Sequence, residues 1–306
     1  MNRMQRDRTE KNRQEICFCA YETRCRIWIE EREDGGEILS ACRAIALQVE
    51  GRLNMYDRCS EISFLCQNYQ PGEGQKVSPA LFSFLEMNLQ MAELSGGRFD
   101  FTVGALVKRW NFGSGVGEVP DKEEIDRLLA CTGYQHVHLV GKDEVVFDRA
   151  GMVLDAGGSG KGFALDQVAD YLRSKGVRQA WMDFGGNLYV MGDKGRKIGI
   201  RDPRQPGRVI CGVEAKNQAV STSACYEHAI QKDGKMYGHI LNPGLGRPGT
   251  SGLSSVTVLA SSAASADMLS TAIYLAGREE GMVLLNKAEE ALGEEIRCIM
   301  IPEPSL

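Results

Sequence analysis

No Cys-x-x-Cys pair occurs among the ten cysteines of the chain, at positions 17, 19, 25, 42, 59, 66, 131, 211, 225 and 298. That absence excludes a zinc ribbon and a thioredoxin-type redox motif. Unpatterned thiols in a chain long enough to fold without disulfides suit a reducing compartment, and the cytoplasm is expected. No segment approaches the roughly 20 apolar residues of a membrane span, so no transmembrane segment is expected. The apolar run "ICFCAY" is too short for the core of a secretory signal, and no signal peptide is visible. A positive excess is missing as well. The 36 Lys and Arg residues against 41 Asp and Glu leave a net charge of −5, spread along the chain. Nucleic acid is therefore an unsuited partner. There is no internal repeat and no low-complexity linker, which favours one unit over two separable domains.

What is present is a 306-residue chain, 43% hydrophobic, able to bury a sizeable core. Residues 1–15, "MNRMQRDRTEKNRQE", are charged and almost free of apolar side chains and read as a disordered arm before a domain over 16–306. Alternation over Arg24–Ile29 predicts a strand, and Ile38, Ala41, Cys42, Ile45, Val49 and Leu53 mark one helix face. Ser78 and Pro79 open a helix that closes at Gly96 and Gly97. "DKEEIDRLLACTG" reads as a shorter helix, and short antiparallel strands follow with a turn at Gly141 to Asp143. Strands are expected at Gln179–Phe184, Leu188–Met191, Ile198–Ile200, Ile210–Glu214, Ala219–Thr222 and Leu253–Leu259, then a helix from Ser265 to Ala276. The fold class is α+β: a single compact domain of mixed, mainly antiparallel sheets with packed helices.

The stretch "DAGGSGKGFALDQVADYLRSKG", Asp155 to Gly176, places glycines and a lysine at the mouth of a helix. It is not a Walker A loop, because Asp155 stands where the first Gly belongs and Gly162 where the hydroxyl belongs. Nor is it a dinucleotide fingerprint, since Gly158, Gly160 and Gly162 alternate strictly. A strand end, close-approaching backbone N–H groups, Lys161 and a helix N-terminus suit an anion; a tight glycine turn is the plainer alternative. A second Asp-x-Gly-Gly begins at Asp183, and "GIRDPR" adds a charged turn after another strand. Each alone reads as a turn, and three such strand ends suit one cleft. His239 precedes an apolar pair and an Asn-Pro turn, as a structural hydrogen-bonder or as a catalyst. Asp267 and Thr271, at i and i+4, share one helix face. They read either as an exposed Asp with a back-bonded Thr or as oxygen ligands for a hard cation such as Mg²⁺.

Taken in order, eight blocks from about Leu53 to Gly277 resemble the FAD:protein FMN transferase family, the ApbE-like flavin transferases. They are "MYDRCSEIS", "GGRFDFTVGALVKRWNFG", "DAGGSGKGFALDQVADYL", "DFGGNLYVMG", "GIRDPR", "STSACYEH", "HILNPGLGRP" and "SSVTVLASSAASADMLSTAIYLAG". The resemblance implies an ApbE-like, T-fold-related domain that binds FAD with Mg²⁺, cleaves its pyrophosphate, and moves FMN onto a Ser or Thr of a target protein, releasing AMP. It implies Gly160, Asp267 and Thr271 as metal ligands. It also implies His239 as base, Lys161 on the pyrophosphate, and Met55, Tyr56, Ser60, Asp100, Thr102, Gly157, Gly158, Asp166, Gly185 and Thr222 around FAD. Flavin storage without transfer, or hydrolysis of FAD to FMN and AMP, are the alternatives. The sequence departs from the family at Asn242, Leu245, Ala224 and Phe101, where Asp, Thr, Gly and Pro are usual.

Overall fold

A computed structural model describes residues 13–112, 118–205, 207–225, 229–232 and 235–303. Its first strands, β1 (Arg13–Ala20) and β2 (Thr23–Glu30), alternate side chains into and out of a core. Residues 13–15, expected in the arm, therefore belong to β1, which continues into the buried Phe18 and Ala20. Residues 1–12 lie outside the described residues.

The chain continues through α1 (Gly35–Leu53), α2 (Glu61–Asn68), β3 (Gly74–Lys76), α3 (Pro79–Leu94), α4 (Gly104–Trp110) and α5 (Lys122–Leu129). A small hairpin, β4 (Val137–Val140) and β5 (Glu144–Phe147), precedes α6 (Gly160–Ser174). Then come β6 (Ala180–Phe184), β7 (Asn187–Met191), β8 (Arg196–Arg201), β9 (Val209–Ala215) and β10 (Gln218–Ala224). Short pairs β11 (Ala229–Lys232) with β12 (Lys235–Gly238), and β13 (Leu241–Asn242) with β14 (Arg247–Pro248), lead to β15 (Leu253–Ala260), α7 (Ala263–Leu292) and β16 (Arg297–Pro302).

Local chemistry explains the helix ends. Ser78 Oγ accepts from Leu81 N at 3.2 Å with Pro79 in the first turn of α3. Asp121 and Glu124 form a reciprocal capping box on α5. The helix expected to stop at Ala276 does leave helical geometry at Gly277 (φ +78°), but resumes and ends at Gly293 (φ +66°). No helix among the described residues is long and apolar enough to cross a membrane.

Seven strands form the main sheet in the order β1-β2-β6-β7-β10-β15-β16, each neighbouring pair antiparallel. Period-2 alternation then assigns the faces. Ile27, Met182, Tyr189, Ala219, Val256 and Val258 join α1, α6 and α7 in the large core. Val190, Val220 and Leu259 pack on the other face with Ile198 and Val213 of the β8–β9 hairpin. The "GIRDPR" turn belongs to that hairpin, so the third strand end expected in one cleft is built on the face away from α7. There Asp202 accepts from Arg204 N and Nε, at 3.0 and 2.9 Å.

Candidate active site

The glycine stretch after the β4–β5 hairpin is tied down at its start. Asp155 N donates to Phe101 O at 2.7 Å, and Asp155 Oδ1 accepts from Gly157 N at 2.9 Å, closing an Asx turn. Burial raises the Asp155 carboxyl, opposed by the Gly157 hydrogen bond and then by the charges of Lys161 and Lys108. Helix α6 starts without a side-chain cap: Ser159 Oγ is buried and has no hydrogen-bond partner among the described residues. Gly162 N instead donates to Asp267 Oδ2 at 3.1 Å, across to α7. Only glycine fits at position 162, because a Cβ there would lie 2.4 Å from Ala263 O. Lys161 Nζ reaches back to Gly157 O at 3.3 Å and remains exposed.

The two helix N-termini thus converge on Asp267 and Thr271. Asp267 is buried, so the exposed alternative weighed for it does not hold. Its Oδ1 lies 3.4 Å from Ser221 Oγ, and no Lys, Arg or His among the described residues pairs with it. Thr271 Oγ1 lies 3.0 Å from Ser223 Oγ and 3.4 Å from Asp267 O. A Cβ at Gly158 would stand 3.6 Å from that Thr271 oxygen and 3.2 Å from the Phe99 ring, so the loop lies directly over the pair. A buried carboxylate without a cationic partner is costly. Among the described residues no group of three or more His, Cys, Asp or Glu is placed to hold a metal. The donors gathered here are one carboxylate and neutral oxygens, a mix that suits a hard cation keeping several waters.

The remaining expected residues divide. Tyr56 is 62% exposed, and its hydroxyl is raised to about 12 by partial burial, then by the Asp155 and Glu22 carboxylates. Met55 is buried. Ser60 caps α2, accepting from Ser63 N at 3.2 Å and donating to Asn54 O at 2.7 Å. Asp100 and Thr102 are buried in a network of their own. Asp100 accepts from Thr102 N, Thr102 Oγ1 and Tyr134 N at 2.8, 2.7 and 3.0 Å, and Thr102 Oγ1 accepts from Gly133 N at 2.7 Å. Asp166 caps α7, accepting from Ser262 Oγ, Ala263 N and Ala264 N at 2.7, 2.8 and 2.9 Å. Gly185 (φ +65°) and Gly186 (φ +97°) make the two-residue turn between β6 and β7. Thr222 lies on the sheet face away from α7, 2.8 Å from Thr257 Oγ1. His239 sits between two residues that touch Cys225: a Cβ on Gly238 would meet its Sγ at 2.6 Å, and the Ile240 backbone is hydrogen-bonded to it. Cys225 also bonds Tyr274 of α7.

The sequence profile of the ApbE family matches residues 21–293. The chain belongs to the ApbE family. It is 30% identical over 286 residues to the FAD:protein FMN transferase of Treponema pallidum, covering 87% of this chain and 79% of that one. To a Klebsiella pneumoniae protein of the same name it is 33% identical, over 70% of this chain and 68% of the relative. Among solved structures, the flavin transferase ApbE of Vibrio cholerae superposes with a TM-score of 0.83 at 27% identity, covering 96% and 94% of the two chains. The ApbE protein of Thermotoga maritima superposes at 0.84 with 29% identity, covering 94% of each.

Within this ApbE chain, the site draws on residues that the motif reading missed. Asn187, Ser221 and Ser223 are buried on the α7 face of the sheet, and Lys108 of α4 lies close enough to Asp155 to influence its charge. The signal for the serines was strand phase: on β10, Ser221 and Ser223 share a face with the core residue Ala219, whereas Thr222 shares one with Val220. Asn242, in place of the usual Asp, still makes its turn, accepting from Gly244 N and Leu245 N at 3.0 and 3.2 Å.

Proposed function

We propose that this chain is a Mg²⁺-dependent FAD:protein FMN transferase, joining FMN through a phosphoester to a Ser or Thr of a target flavoprotein and releasing AMP. The observation that carries this reading is the buried carboxylate of Asp267, paired with no Lys, Arg or His among the described residues, beside Thr271 and directly under the glycine loop at the mouth of α6.

The Gly160 carbonyl, Asp267 and Thr271 would hold the ion. Bound Mg²⁺ supplies charge neutralisation on the non-bridging pyrophosphate oxygens. Lys161, exposed over the loop, neutralises further charge on the same group, and the open face of Tyr56 offers a stacking surface for the flavin. His239 takes the proton of the acceptor hydroxyl as its oxygen bonds the FMN-side phosphorus. The bond from that phosphorus to the bridging oxygen breaks, and AMP leaves with that oxygen. The ten unpaired thiols support a cytoplasmic location.

Incubating the protein with FAD, Mg²⁺ and cell lysate, then imaging a denaturing gel for flavin fluorescence, tests the proposal. A fluorescent protein band that needs both FAD and Mg²⁺ is expected. AMP formed with free FMN and no labelled band would instead assign hydrolysis, and FAD bound unchanged would assign storage.

A further inference from the structure

We infer that Ser221 and Ser223 of β10, with Asn187 of β7, are positioning residues that hold Asp267 and Thr271 ready for a divalent cation. This rests on the metal-ligand reading above.

The geometry begins with two repeat lengths. β10 is antiparallel to β15, and α7 follows β15 after a tight reversal, so α7 runs alongside β10 in the same direction. Two residues of strand advance about 6.7 Å, and four residues of helix advance about 6 Å. Residues i and i+2 of β10 therefore stay in step with i and i+4 of α7. Ser221 falls under Asp267, at 3.4 Å, and Ser223 under Thr271, at 3.0 Å. Ala219 shows what the same face of the strand carries where it meets the apolar core. Two hydroxyls in that interface cost free energy unless they are bonded.

Counting protons gives each hydroxyl a direction, since each carries one. Ser270 Oγ donates to Asp267 O at 2.9 Å. Ser223 Oγ, 2.8 Å from Ser270 Oγ, then donates to Ser270. Thr271, 3.0 Å from Ser223 Oγ and 3.4 Å from Asp267 O, donates along the shorter contact, which leaves its oxygen lone pairs free for a cation. On the other ligand, Ser221 Oγ donates to Asn187 Oδ1 at 2.7 Å, and Asn187 Nδ2 is buried with no hydrogen-bond partner among the described residues. A half-turn of that amide makes Nδ2 the donor to Ser221 and releases the Ser221 proton to Asp267 Oδ1. The relay Asn187 to Ser221 to Asp267 then delivers a hydrogen to the carboxylate. It fixes the carboxylate rotamer.

The test is titration of the purified full chain with Mn²⁺ alone, read by electron paramagnetic resonance, with thermal unfolding recorded in parallel. Asp267→Asn should abolish high-affinity binding. Ser221→Ala and Ser223→Ala should each weaken it about tenfold, while Ser221→Thr, which keeps the hydroxyl, should restore it to within about twofold. Should Ser221→Ala fail to fold, Asn187→Leu reads the same relay and should also weaken Mn²⁺. Loss of binding in Asp267→Asn with unchanged affinity in the folded Ser221, Ser223 and Asn187 variants would overturn the positioning role and leave the metal ligands standing. Mn²⁺ binding that survives Asp267→Asn, or that the unaltered chain never shows, would remove the metal reading and this inference together.

Discussion

Gly162 stands where the start of α6 meets the start of α7, with no room for a methyl group: the neighbouring atoms are the Ala263 carbonyl and Ala264 Cα, backbone that cannot swing aside. Gly162→Ala should destabilise the fold by about 1–3 kcal/mol, read as a lower urea midpoint, and should lower FAD turnover by parting the glycine loop from Asp267. Unchanged stability would mean that the two helix ends are not packed as described. His239 belongs to the same scale. If the imidazole takes the acceptor proton, His239→Asn should slow transfer far more than it weakens FAD binding, because the interaction is made in the transition state. Equal losses in rate and affinity would recast His239 as a binding or structural residue. Thr222 shows the limit of motif reading at this scale. Its position in the block was visible, but the phase of β10 was not, and phase sends it to the far side of the sheet from Asp267 and Thr271.

The helix pair α6 and α7 is locked at its N-termini by Asp166, which satisfies two backbone N–H groups and the Ser262 hydroxyl at the start of α7. Asp166→Ala strands those donors and should cost about 1–2 kcal/mol, measured by urea unfolding, while Asp166→Ser should recover part of the loss. The resemblance alone drew attention to Asp166; the packing of the helices shows its oxygens accepting from the start of α7. The β4–β5 hairpin offers a pH test. Asp148 accepts from His138 Nε2 at 3.0 Å and pairs with His136 Nδ1 at 2.7 Å, contacts that hold its carboxyl below the usual range, His138 foremost. A folded pKa below the unfolded one contributes stability that is present above the unfolded value and lost as pH falls through the folded one. The urea midpoint of Asp148→Asn should therefore lie below that of the unaltered chain near about pH 6 and converge with it near about pH 2. A gap that persists in acid would mean the pairing does not depend on the ionised carboxylate.

The main seven-stranded antiparallel sheet carries helices on one face and the β8–β9 hairpin on the other, and the glycine loop meets the helical face. Much of this was legible beforehand where the chain carries its own local signal: Ser78 and Pro79 opening α3, Gly176 (φ +69°) closing α6, and Asp267 and Thr271 one helical turn apart. Elements defined by partners rather than pattern were not. β16 is a strand because β15 offers it an edge, and α2 follows from the Ser60 cap on a segment too short to show a period. The buried serines are invisible to motifs because Ser is read as polar and exposed until a helix is laid over it. The central claim is that Asp267 and Thr271 bring a cation to the FAD pyrophosphate for transfer to protein. Its most direct measurement is the ratio of AMP released to flavin bound covalently to protein, at graded Mg²⁺, for the unaltered chain and Asp267→Asn. One AMP per attached flavin, rising with Mg²⁺ and lost in Asp267→Asn, is predicted; full Mg²⁺-dependent turnover in Asp267→Asn would contradict it.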